Sequence, residues 1–331
     1  MKLVTYLSGG AETLGAQVNG SAAILDLQRA HRLTQGRDHP AFASMQALIE
    51  AGEEGLDSAR KFVALAPEEA VVPAKETVLL SPLPRPVQMR DFLCFKTHMR
   101  QAGLAVAKLR AMASAAPEAA LREVECSGPP PIPPVWYQQP IYYKCNRFAV
   151  TGTGQEIAWP AYSRLIDYEL EIAAVIGRTA KDVAPEKARD HIFGFTIFND
   201  LTARDAQALE MSGPLGPAKG KDFDDANVLG PCIVTIDEIA NPYDLTMTAR
   251  VNGEIWTRGN TGTMHWTFEE VIAHVSRGET LHSGEVLGSG TVGNGCGLEQ
   301  MRFLKHGDVV ELEIERIGTI RNRILAPHCA R

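Results

Sequence analysis

From Ile157 onward the chain is a series of short apolar runs punctuated by Gly and Asn, a pattern of strands joined by turns. The sharpest run is Asp167-Tyr168-Glu169-Leu170-Glu171-Ile172-Ala173-Ala174-Val175-Ile176-Gly177. It predicts a strand in which Glu169 and Glu171 project from one face, because side chains at i and i+2 of a strand lie on the same side. A second apolar run, Gly194-Phe195-Thr196-Ile197-Phe198-Asn199-Asp200, predicts another strand that ends in an acid. Leu201 to Gln207 then reads as the start of a helix. Further on, Ala249 to Trp256 predicts a hairpin that turns at Asn252-Gly253. Thr267 to Ser276 predicts a helix that interrupts the strands.

The first third of the chain has a different texture. Lys2 to Leu7 and Ser21 to Leu27 read as strands, followed by amphipathic helices near Pro40 to Glu50 and Leu56 to Leu65. Leu56, Ala59, Phe62, Val63 and Ala66 carry the helical spacing, and Pro40 suits a first helical turn. Pro73 and the stretch Ser81-Pro82-Leu83-Pro84-Arg85-Pro86 break the periodicity. That places a boundary between a small supporting domain, 1–82, and a larger domain, 83–331. Within the larger part, Gln101 to Ala116 is Ala-rich and reads as a helix, and the proline run Pro129 to Pro134 favours stiff, extended chain. Residues 101–134 are therefore either a spacer or a movable cover over a site. No internal repeat of fixed period appears.

Glu169 and Glu171 bring in the chemistry. Two like charges on a mostly buried strand are unfavourable unless something positive sits between them. A divalent cation meets that demand, and so does a solvated edge strand that leaves both acids in water. Asp200 sits where a strand opens into a turn, a place where a rigid element fixes a side chain beside an open mouth. Upstream, Arg90-Asp91-Phe92-Leu93-Cys94-Phe95-Lys96-Thr97-His98 pairs an acid with a histidine.

Taken in order, the segments DFLCFKTH, IDYELEIAAVIG, GFTIFNDLTARDAQ, GPAKGKDF, SGTVGNGCGLE and GDVVELEIERIG resemble those of the fumarylacetoacetate hydrolase superfamily, from about Leu83 to the C-terminus. The resemblance implies an α+β, β-rich fold: a mixed β-sandwich roll as catalytic domain, with a small N-terminal α/β domain. It implies a divalent site made by Asp91, Glu169, Glu171 and Asp200. His98 matches the catalytic histidine, Glu299 the glutamate that orients it, and Lys221 the lysine near the metal. Arg204, Gln207, Thr291 and, more loosely, Tyr143 match substrate-binding positions, with Tyr142 as the neighbouring alternative for the tyrosine. Arg204 and Gln207 have a plainer reading as surface partners of Asp205 or Glu210. A homodimer is implied as well. One departure stands out: where relatives carry Thr or Ser four residues after the lysine, this chain has Asp225, preceded by Asp224. These two acids read as a solvated turn, an added ligand, or a contact for Lys221.

Four carboxylates without a Cys or His ligand make a hard, all-oxygen site that suits Mg²⁺ first, with Ca²⁺ or Mn²⁺ as alternatives, over zinc. The expected reaction is hydrolytic carbon–carbon cleavage of a β-diketone acid, an acylpyruvate or fumarylacetoacetate-like compound of aromatic catabolism. In it His98, oriented by Glu299, deprotonates water, and the oxyanion formed at the keto carbon meets Lys221. The alternative is a decarboxylase, isomerase or hydratase that uses the same metal enolate. A non-catalytic binder of 2-oxo acids is a third reading.

Composition narrows the classes further. A length of 331 residues suggests about two domains, and 45% apolar content is ample for a core. No run approaches the ~18 apolar residues of a membrane span. The start Met-Lys-Leu-Val-Thr lacks a cleavable signal pattern, so a cytoplasmic location with no membrane partner is expected. A net charge of -7 argues against nucleic acid as a partner, since a phosphate backbone needs a positive surface. The six cysteines, Cys329 among them, are scattered without a Cys-x-x-Cys and read as reduced structural thiols.

Overall fold

The computed structural model describes residues 1–213 and 215–327; Cys329 lies outside the described residues. Its architecture is β-rich mixed α/β, as expected. Among the described residues, twelve strands form one mixed sheet and five form a second. The Leu170–Ile176 strand lies in the middle of the first sheet, between Ile192–Asp200 and Val286–Gly288. Every residue of it is buried. The reason is cover on both faces. Leu170, Ile172 and Ala174 enter a core shared with Met247, Ala249, Leu312 and Ile314 of the five-stranded sheet. Ala173 and Val175 enter a second core with Leu48, Ile49 and Phe62. A strand buried on both sides reads as a continuous apolar run, so any charge within it is conspicuous.

The N-terminal segment continues the same large sheet. Lys2–Ser8 pairs with the Asn227–Thr235 strand, with Leu3 opposite Ile233, and Ala11–Val18, Ala23–Asp26 and Val71–Pro73 follow outward. Ala11–Val18 escaped the sequence reading because Glu12, Thr13 and Gly15 dilute its apolar alternation. The helix Leu27–Gln35 escaped it as well, although Asp26 caps it by accepting from the Arg29 backbone N–H at 2.8 Å. The two helices expected between Pro40 and Leu65 are one run, Met45–Leu65, with a break at Gly52, whose φ of 59° suits glycine. Pro40 opens a short 3₁₀ turn instead of the helix, which starts after Ser44, the residue that accepts from the Ala47 N–H.

In the second sheet the hairpin turns at Asn252-Gly253 as expected, both with positive φ. The Phe268–Ser276 helix begins at a capping box of Thr267 and Glu270. The Ala-rich stretch Gln101 to Ala116 lies mostly in one helix, Lys96–Met112, and a second, Pro117–Ser127, follows it. The first begins before Gln101, which places His98 in its opening turn. After the proline run the chain is pinned by Trp136, which is buried and donates from Nε1 to the Leu93 carbonyl at 2.6 Å. No described helix is long and apolar enough to cross a membrane.

The Met89–Phe92 strand pairs with Val286–Gly288 on one side and Tyr142–Lys144 on the other. Alternation along it sends Asp91 to the face opposite Arg90. The Arg90 guanidinium, almost fully buried, forms ion pairs with Glu285 and Glu279 and so ties this strand to the 279–285 segment. Arg90→Ala would leave Glu285 buried without its partner, a loss expected to cost about 3–5 kcal/mol. Replacing the pair together, Arg90→Met with Glu285→Leu, should recover most of that. Urea unfolding of the three proteins checks this, and equal stability of Arg90→Ala and the parent would contradict it.

Candidate metal and catalytic centre

Strand parity builds the site. Glu171 lies on the same face as Ala173 and Val175, Asp200 on that of Phe198, and Asp91 on that of Met89, all toward the second core. Register then brings the strands together: Asp91 lies beside Gly288, Gly288 beside Ala173, and Glu171 beside Phe198. The outcome is that Asp91, Glu169, Glu171 and Asp200 each place an oxygen within 4.8 Å of the others, all four buried. Burial removes the solvated-edge reading of Glu169 and Glu171. Gly288 makes the approach possible, since a Cβ there would lie 2.7 Å from Asp91 Oδ1 and 2.9 Å from Glu171 Oε2. The Gly290 N–H donates to the same two oxygens, at 3.1 and 3.0 Å.

The positive charge is distributed unevenly. Glu169 receives Arg204 Nη2 at 2.8 Å and Lys221 Nζ at 2.5 Å. Burial alone would raise its pKa, but these two cations outweigh that and hold the carboxyl well below the usual range. Asp200 Oδ2 accepts from Lys221 Nζ at 2.5 Å and from the Tyr143 hydroxyl at 2.6 Å. Its burial still prevails over Lys221 and lifts the pKa to about 7. Glu171 has no cationic neighbour in hydrogen-bond contact, and burial with the adjacent Asp91 pushes it well above the ordinary carboxylate range. Asp91 is raised too, chiefly by burial. Glu171 Oε1 and Asp200 Oδ1 are buried without a hydrogen-bond partner. Hard oxygen donors, two of them orphaned, fit a hard divalent cation.

His98 is buried in the first turn of its helix, with Nδ1 3.2 Å from Glu299 Oε1. Burial pushes its pKa down, and the Glu299 carboxylate more than offsets this, so the net shift is upward. Glu299 lies in the short turn Gly297–Gln300 and also accepts from the Cys296 N–H at 3.2 Å. Asp167, which the sequence reading did not single out, ties this turn to the carboxylates. It accepts from the Gly297 and Leu298 N–H groups at 2.7 and 2.9 Å and from Arg204 Nε at 2.8 Å. The signal was present in the sequence, as Asp167 continues the i, i+2 series of Glu169 and Glu171.

The remaining expected residues fall as follows. Arg204 is buried and donates from Nη1 to Gln207 Oε1 at 3.0 Å, so neither is a surface partner of Asp205 or Glu210. Asp205 binds Ser163 and the Arg164 N–H, and Glu210 accepts from the backbone at Ala218, Lys219 and Gly220. Tyr143, and not Tyr142, faces the carboxylates, since Tyr142 packs into the opposite core. Thr291 is buried directly after Gly290. Asp224 is exposed and Asp225 half-buried with φ 62°, and neither belongs to the carboxylate group.

Residues 90–325 match the family model described as fumarylacetoacetate (FAA) hydrolase, C-terminal. The chain belongs to this family. It is 32% identical over 287 residues to the human mitochondrial oxaloacetate tautomerase FAHD2A, covering 85% of this chain and 80% of that protein. Among solved structures, the fumarylacetoacetate hydrolase of Exiguobacterium antarcticum superposes with a TM-score of 0.72 at 26% identity, covering 99% of this chain and 100% of that one. The maleylpyruvate hydrolase of Sphingobium sp. SYK-6, solved with manganese(II) and pyruvate, shares the fold with a TM-score of 0.71 at 22% identity, covering 99% and 100%. Hydrolase and tautomerase names thus both occur in the family.

The charge imbalance gives a stability test with two signs. Glu171 has a raised pKa in the fold, so at pH 8 in EDTA its ionised form opposes folding, and Glu171→Gln should be as stable as the parent or a few degrees more so. With Mn²⁺ at a hundredfold excess over its Kd the parent gains about 2.7 kcal/mol. The variant should gain little, so the order of Tm values reverses. An equal Mn²⁺ response in both proteins would remove Glu171 from the ligand set.

Proposed function

We propose that this protein is a divalent-cation-dependent hydrolase that cleaves a carbon–carbon bond in a small β-diketone acid of the acylpyruvate or fumarylacetoacetate kind. The observation that carries the reading is the buried His98 with Nδ1 turned to Glu299, an arrangement that leaves Nε2 free for water. Asp91, Glu169, Glu171 and Asp200 would hold the cation, with Mg²⁺ first and Mn²⁺ or Ca²⁺ as alternatives. Bound there, the cation supplies Lewis-acid polarisation of the two substrate oxygens and charge stabilisation of the enolate that leaves.

The chain's own groups do the rest. His98 Nε2 takes a proton from water, and the hydroxide adds to the keto carbon. The carbon–carbon bond then breaks, and the departing enolate carbon takes the proton back from the imidazolium. Glu299 fixes the ring and stabilises its charged form. Lys221 balances Glu169 and Asp200 and would be the group that meets an oxyanion formed at the keto carbon. Arg204, Gln207, Tyr143 and Thr291 are the proposed substrate contacts. A cytoplasmic location and a homodimer belong to the same proposal.

A second reading is keto–enol interconversion of oxaloacetate, supported by the similarity to the human tautomerase over most of both chains. It needs the same base but no attack by water.

His98→Ala should lower acylpyruvate cleavage by roughly 10²–10⁴ while leaving Mn²⁺ binding intact. Parallel rates on acylpyruvate, fumarylpyruvate and oxaloacetate separate the readings. Fast oxaloacetate tautomerisation without cleavage of any diketo acid would transfer the assignment to the second, and equal small losses in every reaction would remove His98 as the base.

Because Glu299 raises the His98 pKa, the rate should rise with pH through a midpoint above the ordinary histidine value. Glu299→Gln should lower that midpoint, as removal of the negative charge favours the neutral ring. A midpoint that stays in place in pH–rate profiles would contradict the pairing.

A further inference from the structure

Beside the hard carboxylate group the structure holds a second set of donors of different chemistry. His98, Cys296 and Glu299 each place a ligand atom within 4.8 Å of the others. His98 Nδ1 lies 3.2 Å from Glu299 Oε1, and Cys296 Sγ lies 3.5 Å from Glu299 Oε2. Tetrahedral zinc, with bonds of about 2.0–2.1 Å to nitrogen and about 2.3 Å to sulfur, spaces its donors about 3.3–3.6 Å apart, so Glu299, whose Oε1 meets the imidazole and Oε2 the thiol, would turn to present one oxygen to both. His98 Nδ1 and Glu299 Oε1 are both buried, and neither has an aligned hydrogen-bond partner. They face each other as a charge contact, and the thiol sits at the same carboxylate. Packing alone accounts for part of Cys296, which belongs to a small apolar cluster with Ala105 and Leu298. It does not account for the thiol's hydrogen bond to a buried carboxylate whose other oxygen meets His98 Nδ1 without an aligned hydrogen bond.

We infer that His98, Cys296 and Glu299 form a second, softer cation site that takes a thiophilic divalent ion of the zinc class. Imidazole, thiolate and carboxylate donors suit Zn²⁺ or Cd²⁺, whereas the neighbouring all-oxygen group suits Mg²⁺ or Mn²⁺. The two sites sort cations by hardness. Binding is a proton exchange: the Cys296 S–H bond breaks, its proton goes to solvent, and the sulfur lone pair forms the bond to the ion. The His98 Nδ1 lone pair is used at the same time, so the ring proton sits on Nε2, and that nitrogen can no longer accept a proton from water. Three protein donors leave one position open to water or substrate. An ion held here therefore stops turnover, a consequence that rests on the proposed role of His98.

The test is titration of the whole protein with Cd²⁺ in excess Mg²⁺, following the thiolate-to-cadmium charge-transfer absorption in the parent, Cys296→Ser and His98→Ala. The parent should develop the band with one equivalent, and both variants should lose it. His98→Ala keeps every cysteine, so loss of the band there shows that this thiol and not the exposed Cys126 carries it. No band in the parent, or a band undiminished in both variants, would overturn the site. In parallel, Zn²⁺ should inhibit the parent, and Cys296→Ser, active in Mg²⁺ alone, should need roughly tenfold more Zn²⁺ or higher for the same inhibition. A thiolate band without loss of turnover would leave the site standing and overturn the reading of His98 as the base.

Discussion

Four carboxylates within 4.8 Å of one another, all buried, set the problem that the surrounding structure resolves. Like charges at such distances in a low-dielectric interior repel by several kcal/mol unless they are protonated, paired or bridged. The chain uses pairing for two of them, Glu169 and Asp200, and leaves Glu171 and Asp91 against one another. Glu169 is held by both Arg204 and Lys221, while Glu171 and Asp91 receive backbone N–H groups and no cationic neighbour in contact. A site neutralised fully by side chains would have no use for an ion. One neutralised only at Glu169 and Asp200 keeps an ordered pair of excess acids, Glu171 and Asp91.

The same constraint explains residues that look structural. Gly288 has no side chain where Asp91 and Glu171 converge, and the Gly290 N–H bridges the same two oxygens. Asp167 brings a further buried acid close to the group and is neutralised by Arg204 and two backbone N–H groups of the turn that carries Glu299. Through Asp167 and Arg204 the position of the histidine's partner is linked to the position of Glu169. The carboxylate group and the His98–Glu299 pair are thus fastened by one arginine, and disturbance of either should be felt by the other.

What could be read in the sequence followed from local periodicity. The 167–177 run exposed Glu169 and Glu171 because two acids in an apolar strand contradict burial, and parity alone put them on one face. Asp200 was legible as the polar end of an apolar strand. Asp91 was not legible in that way. It lies in a short strand, Met89–Phe92, whose residues are all buried, and only the register against Gly288 brings it to the other acids. Long-range pairing of this kind has no local trace in the chain, and the resemblance to a family supplied it. The Ala11–Val18 strand and the Leu27–Gln35 helix were missed for the converse reason, since tertiary packing overrode a weak local pattern. The Lys96–Met112 helix starts ahead of its apolar pattern because Lys96, Thr97 and His98 are not apolar, and its first turn holds His98.

His98 sits on a helix, while Asp91, Glu171 and Asp200 come from the large sheet and Glu169 from the residue just before its Leu170–Ile176 strand, bridged to Cys296. Sheet register fixes the carboxylates to their neighbours through the backbone ladder, so the geometry offered to a cation is rigid. The helix is fastened by Gln101, which both donates to and accepts from Asn294 at the surface, by the close approach of Thr97 to Gly293, and by packing of Ala105 with Cys296 and Leu298 of the turn that carries Glu299. The first two contacts join the helix to the 290–295 loop, which adjoins the turn carrying Glu299. The His98–Glu299 contact is therefore held from two sides, by the packing of the helix on this turn and by the Asp167–Arg204 link that continues to Glu169.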